Sequence, residues 1–330
     1  MVSRTDPQPD TGTMTNPLPL ILDGDPGTDD LLTWMWALAV PDRVKVLGIC
    51  TVHGNVALSR TTENALALLD HLNAPVIPVH AGEKAPLGRA EPPAGDGAFA
   101  ESGLGALVLA PATRKPASYD AVGWMADTLR SHPPRSVTIC ATGPLTNLAR
   151  LLERAPDAFA RIGHLAVMGG SCDLLPPNHV RRGNITEWAE FNFYMDPLAA
   201  QQVLNSGIPI TLMPLDLTHQ LVSTPDRLAR ARALPRYGEE VALMLDAAAH
   251  LDRPKFGANG AFQHDMTVLA TLLHPELFEG EQSQVTIATT GVGSGACLRV
   301  PDPAGAVRVM LRVPDPAAFF DRFFQALGEP

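Results

Sequence analysis

Cysteine is scarce in this chain. Its four copies, Cys50, Cys140, Cys172 and Cys297, are scattered without metal-type spacing. That pattern gives no support to a zinc site or to the disulfide framework of a small secreted domain, and free thiols in a reducing cytoplasm are the expectation. Lysine is equally sparse, limited to Lys45, Lys84, Lys115 and Lys255. With 25 basic against 35 acidic residues the formal charge is −10, which argues against nucleic acid or an anionic membrane surface as a partner. No apolar run approaches the ~20 residues of a transmembrane helix. Residues 1–17 lack the apolar stretch of a signal peptide and read as a disordered tail before a single domain spanning 18–330. What the chain does have is ordinary for a globular protein with a substantial core: 45% hydrophobic residues and a mean hydropathy of +0.05.

Against that background one stretch stands apart. Leu18-Pro-Leu-Ile-Leu22 is an apolar run that ends abruptly in Asp23-Gly-Asp25-Pro-Gly-Thr-Asp29-Asp30. The run reads as a buried strand, and Leu31, Leu32, Met35 and Leu38 mark a helical stripe from Thr28 onward. Two of the aspartates, Asp29 and Asp30, suit a helix start, where acidic groups meet the positive end of the dipole. That explanation leaves Asp23 and Asp25 unexplained. Carboxylates this close repel, and the simplest compensation is a hard divalent cation that takes several carboxylate oxygens at once.

The same strand-then-helix punctuation recurs. Strands are predicted at 44–52, 75–79, 136–141, 164–168 and 208–215, with helices at 56–72, 120–131, 145–153 and 196–205. Two Gly- or Pro-rich loops, 82–116 and 171–195, interrupt the pattern, and the first is expected to cover the active face. Helices follow near 224–234, 237–251 and 264–273, then strand-like runs at 285–290, 297–300 and 306–313 and a last helix near 316–327. Alternating strand and helix predicts an α/β fold, a single doubly wound, mainly parallel sheet with helices on both faces. In such a sheet the carboxyl ends of the strands share one edge, so Asp25, Asn55, Thr142 and the loop after Met168 are expected to meet over one pocket.

Taken in order, these residues resemble the calcium-dependent, inosine–uridine-preferring nucleoside hydrolase family. The resemblance rests on Asp23-Gly-Asp25-Pro-Gly-Thr-Asp29-Asp30, His53-Gly-Asn55, Thr142-Gly-Pro-Leu-Thr-Asn147, Met168-Gly-Gly, Gly183-Asn184, Ala189-Glu190-Phe191-Asn192, Leu215-Asp-Leu-Thr218 and His264-Asp265, across residues 18–275. It implies Ca²⁺ held by Asp25, Asp30, Asp265 and the Thr142 carbonyl, an oxygen-only set that suits a hard cation. It further implies that Asp25 is the general base for a calcium-bound water, and that ribose is held by Asp29, Asn55, Asn184, Glu190, Asn192 and the backbone at Met168. His264 is implied as the acid to the leaving base, and Asp23 as support behind the ligands. Cleaving an N-glycosidic bond builds positive charge on the sugar, which an anionic pocket stabilises. A Rossmann-like core, a nucleoside substrate, a place in purine or pyrimidine salvage and a homodimer or homotetramer follow from the same resemblance.

Base recognition transfers less cleanly. Phe99 stands where many pyrimidine-preferring members carry a histidine, in Ala98-Phe99-Ala100-Glu101-Ser102-Gly103, and Asp173 to His179 looks inserted. Phe99, Trp188 and Tyr237 are the aromatic candidates for the base pocket. Two other functions compete. A haloacid-dehalogenase-like phosphatase shares an Asp-x-Asp after a strand, but it needs a phosphate-pairing lysine that none of the four supplies in a motif position. A non-catalytic nucleoside- or ribose-binding protein needs neither a base at Asp25 nor an acid at His264.

Overall fold

The computed structural model describes residues 16–93, 102–172 and 182–329. Eleven strands lie among them: β1 (Leu18–Gly24), β2 (Val44–Thr51), β3 (Val79–Ala81), β4 (Val137–Ala141), β5 (Ile162–Met168), β6 (Ile210–Met213), β7 (Val222–Ser223), β8 (Ala261–Phe262), β9 (Glu279–Ile287), β10 (Cys297–Pro301) and β11 (Val307–Arg312). Nine form one sheet in the order β10-β9-β11-β6-β5-β4-β1-β2-β3, and β7 pairs with β8 in a separate ribbon. From β3 to β11 every pairing is parallel; only β9 runs against its neighbours. The predicted doubly wound, mainly parallel sheet is therefore the observed one.

The central strands are apolar along their whole length because helices cover both faces. One face buries Leu20, Leu22 and Ile49 with Trp34 and Trp36 of the helix Thr28–Ala39 and the four phenylalanines of the helix Pro316–Ala326. The other buries Ile21, Ile139, Leu165 and Val167 against the helices Ala121–Ser131, Thr146–Arg154 and Pro197–Leu204. Chain order reverses between β1 and β4, so this pair flanks the switch point, where open α/β sheets leave a crevice beyond the carboxyl ends.

Three departures from expectation have local causes. The third strand is not 75–79: Pro75 and Pro78 offer no N–H to a ladder, and pairing starts at Val79 opposite Ile49. The helix expected over 237–251 is two, Gly238–Asp246 and Ala249–Phe256, the second containing Pro254. β9 begins at Glu279, earlier than the apolar run suggests, because its first residues face solvent at a sheet edge and alternate weakly. No helix among the described residues is long and apolar enough to cross a membrane.

Candidate active site

Asp25 sits in the turn between β1 and the helix Thr28–Ala39, fully buried. Its Oδ2 accepts from the backbone N–H of Asn55 at 2.6 Å, and the Asn55 amide donates to the Asp25 carbonyl at 3.1 Å. The approach is possible because position 54 is glycine: a Cβ there would lie 1.9 Å from Asp25 Oδ2. Asp30, one turn into the helix, reaches back to the Gly27 N–H at 3.0 Å and accepts from the Thr142 hydroxyl at 2.6 Å. Gly24 makes room for this pair, since a Cβ would stand 2.3 Å from Asp30 Oδ1. Asp23, behind them, accepts from the Asn147 amide at 2.7 Å.

Residues remote in sequence close the ring. Asp265, at the start of the helix Met266–Leu273, brings a carboxylate oxygen within 4.8 Å of oxygens from both Asp29 and Asp30. This trio contains Asp29, expected on the ribose, alongside Asp30 and Asp265 of the expected metal set. The Thr142 carbonyl accepts from Asn192 Nδ2 at 2.9 Å, and a second lone pair remains on that oxygen. Asn192 also donates to the Met168 carbonyl at 3.2 Å, which fixes its amide between the ends of β4 and β5. Glu190 caps the short helix Phe191–Met195 by accepting from the N–H groups of Gly170, Asn192 and Phe193. Asn184 Oδ1 accepts from the Phe191 N–H at 2.9 Å.

Burial of so many carboxylates moves the proton equilibria of Asp25, Asp30 and Asp265. Burial, reinforced by the neighbouring aspartates, pushes Asp30 up to about 8 and holds Asp25 and Asp265 well above the usual carboxylate range. Burial likewise lifts Asp23 and Glu190 to about 7, against the hydrogen bonds that favour their ionised forms. It lowers His264, whose Nδ1 lies 2.8 Å from the Thr218 hydroxyl. These are the signs of a site short of positive charge. A hard cation supplies that charge, and carboxylates with a backbone carbonyl are its natural ligands, so the residues present fit a Ca²⁺ or Mg²⁺ site.

A cavity of about 110 Å³ opens over this cluster. Asp25, Asp29, Asn55, Thr142, Met168, Asn184, Glu190, Asn192, His264 and Asp265 all line it; Asp30 and Asp23 lie behind the surface. The aromatic candidates do not share this placement. Phe99 and the Asp173–His179 segment lie outside the described residues. Trp188 is about half exposed and is not in the cavity wall. Tyr237 packs on the His71 ring and donates to the Leu72 carbonyl, held by the core instead of by the cavity. In their place the far wall is built by Met244, Leu251, Asp252, Lys255 and Phe262. Sequence reasoning passed over these because they sit in a broken helical run and a two-residue strand, neither carrying a motif. Burial pushes Asp252 up to about 6, and a charged group so placed was a signal available only from the fold.

An acidic, amide-lined pocket at the switch point of a doubly wound sheet defines a class: α/β proteins that gather buried carboxylates around a small polar ligand. Comparison with known proteins narrows it. Residues 20–321 match the family model described as inosine-uridine preferring nucleoside hydrolase. The pyrimidine-specific ribonucleoside hydrolase RihA of Shewanella oneidensis is 41% identical over 275 residues, 82% of each chain, and an uncharacterized protein of Schizosaccharomyces pombe is 44% identical over 271 residues, covering 82% of this chain and 84% of that one. Among solved structures, a plant nucleoside hydrolase, the PpNRh1 enzyme, superposes with a TM-score of 0.85 at 27% identity, covering 95% of this chain and all of that one. A purine-preferring ribonucleoside hydrolase from Gardnerella vaginalis gives 0.82 at 28%, covering 93% and 97%. The chain belongs to the nucleoside hydrolase family, and it is an enzyme of the N-glycosidase type. The phosphatase reading falls with that match.

Proposed function

We propose that the protein hydrolyses ribonucleosides to ribose and a free base in a calcium-dependent reaction. The observation that carries this reading is the convergence of Asp25, Asp29 and Asp265 with Asn184, Glu190 and Asn192 on one cavity, with Asp30 directly behind Asp29 and Asp265. Asp25, Asp30, Asp265 and the Thr142 carbonyl would hold the ion, with Asp29 within reach of the same position. When bound, it offsets the carboxylate charge and acidifies the attacking water.

The chain's own groups then divide the work. Asp25 takes the water's proton: its Oδ2 is anchored on Asn55, which leaves Oδ1 as the basic atom. Asn55, Asn184 and Asn192 offer amide groups, and Glu190 and Asp29 offer acceptors, to the three hydroxyls of a ribose. The surplus carboxylates stabilise the positive charge that develops on the sugar as the N-glycosidic bond lengthens. His264 meets the leaving base. The Thr218 hydroxyl lies 2.8 Å from Nδ1; in the tautomer where it donates to Nδ1 the ring proton sits on Nε2, and the neutral imidazole donates it to the base nitrogen as the electron pair of the broken bond arrives there. The RihA relative is named pyrimidine-specific and the Gardnerella structure purine-preferring, so base preference has to be read from this chain's own cavity.

The test is a panel of ribo- and deoxyribonucleosides assayed for free sugar and free base, with and without chelator. Release of ribose and base from ribonucleosides, lost on chelation and restored by calcium, is expected. Phosphate-free turnover of none of them, or turnover indifferent to chelator, contradicts the proposal.

A further inference from the structure

The cavity has two chemistries. One side carries carboxylates and amides; the other is formed by Met244, Ala248, Leu251 and Phe262, with Asp252 and Lys255 as its charged groups. A nucleoside has the same division, a polyhydroxylated sugar joined to a flat heterocycle with apolar faces and a polar edge. His264 belongs to the second side through Phe262-Gln263-His264, so the heterocycle meets that side.

A heterocycle edge carries donors and acceptors, and the polar groups of this wall differ in what they have left to offer. Gln263 spends its amide N–H groups on the carbonyls of Leu245, at 3.0 Å, and Ala261, at 3.4 Å. Lys255 donates to the Asn184 carbonyl at 3.1 Å, tying its helix to the loop that carries Asn184. Asp252 accepts from the Phe262 N–H through Oδ2 at 2.8 Å, and its Oδ1 has no hydrogen-bond partner among the described residues. A buried carboxylate is costly to keep, and the Phe262 N–H with the nearby charges of Lys255 and His250 offsets only part of the cost. Asp252 lines the cavity, and Oδ1 is the carboxylate oxygen that the Phe262 N–H leaves without a donor, beside the apolar Met244, Ala248, Leu251 and Phe262.

From this we infer that Asp252 is the base-reading residue: its Oδ1 accepts a hydrogen bond from a ring N–H or exocyclic amino group on the heterocycle edge. This rests on the nucleoside reading and deepens it. The substrates favoured are nucleosides whose base presents such a donor, and a donor blocked by methylation is rejected. Asp252 touches the base and not the reacting bond, so it sets specificity and does not transfer the proton.

Asp252→Asn tests this with the fold preserved, because the amide oxygen still accepts from Phe262 N–H while an N–H replaces the acceptor in the cavity. Wild type and variant are compared on uridine and 3-methyluridine, inosine and 1-methylinosine, and a 4-nitrophenyl riboside, which has no base donor. Loss of one charged hydrogen bond is worth about ten-fold or more. The wild type is expected to prefer at least one parent nucleoside over its methylated form by that factor. In the variant that preference collapses, and the ratio of kcat/KM for the parent over the aryl riboside falls ten-fold or more, chiefly through KM. Equal losses on all substrates make Asp252 a structural residue and overturn the inference, as does an unchanged ratio. Absence of ribose release from every substrate by the wild type overturns the hydrolase reading, and this inference with it.

Discussion

His264 shows how burial sets chemistry at the scale of one residue. Its imidazole is partly buried in the cavity wall, and desolvation there holds its pKa below the ordinary value, so the neutral ring is favoured near pH 7. A neutral ring held by Thr218 is a hydrogen-bond donor first and a proton source as the base becomes more basic in the transition state. His264→Ala is therefore expected to slow natural nucleosides by about 10²–10⁴-fold in kcat, the usual scale of acid catalysis. A 4-nitrophenyl riboside, whose leaving phenolate needs no proton, should fall by far less. Equal losses on both substrates would remove the acid role. Single residues were also where sequence reading had its clearest limits. Asp23 and Asp25 stood out in the sequence because the helix dipole that accounts for Asp29 and Asp30 leaves them unexplained, whereas Asp265 entered the expected set only through the family resemblance. Asp252 was not, since one aspartate in a run of alanines and leucines looks like a solvated helix face until the fold turns it inward. Tyr237 failed the other way: an aromatic residue near the right helices that the core claims through His71 and Leu72.

At the scale of elements, the site depends on how closely backbones approach. The β1 turn brings Asp25 against residues 54 and 143, both glycines, where a Cβ would lie 1.9 Å and 2.7 Å from its carboxylate. Gly54→Ala must displace the Asp25 side chain or the Asn55 turn, and overpacking of this kind costs about 1–3 kcal/mol. The expected result is a Tm lower by several degrees together with a fall in kcat. Gly293→Ala is the control: its Cβ would meet only the Ala288 Cβ at 4.0 Å, and thermal unfolding should be unmoved. If the two variants melted alike, close packing behind Asp25 would not be what the glycines serve. The elements themselves were well marked in the sequence where both faces are covered, as in β1, β2, β4 and β5, because continuous apolar runs and Gly or Asp stops coincide. Legibility failed at β3, where prolines displaced the pairing, at the exposed start of β9, and at the break between Gly238–Asp246 and Ala249–Phe256.

At the scale of the whole molecule, the cluster of raised carboxylates links ion binding to pH. Asp30 at about 8 and Asp23 at about 7 keep protons in the ion-free folded state that the unfolded chain has already lost. Groups raised in this way stabilise the fold fully below the unfolded value and lose that contribution as pH climbs through the folded one. The window runs from about pH 4 to pH 8. A bound cation needs the same groups ionised, so its stabilisation grows across that window. The expected outcome is a calcium-induced rise in Tm that is larger at pH 8 than at pH 6, measured as the difference between calcium-loaded and chelated protein. Buried histidines such as His53 and His80 titrate in both forms and cancel in the difference. An increment that shrinks with rising pH would place the ion elsewhere.

In the proposed reaction the carboxylate turn after β1 activates water against a nucleoside, and Asp25 is the residue on which that role rests. Ribose released from inosine and uridine by the wild type and by Asp25→Ala, at saturating calcium and with folding confirmed by thermal melts, tests it most directly. Wild-type turnover of at least one nucleoside is expected, with kcat reduced by about 10³-fold or more in the variant. Wild-type rates from a folded Asp25→Ala protein would contradict it.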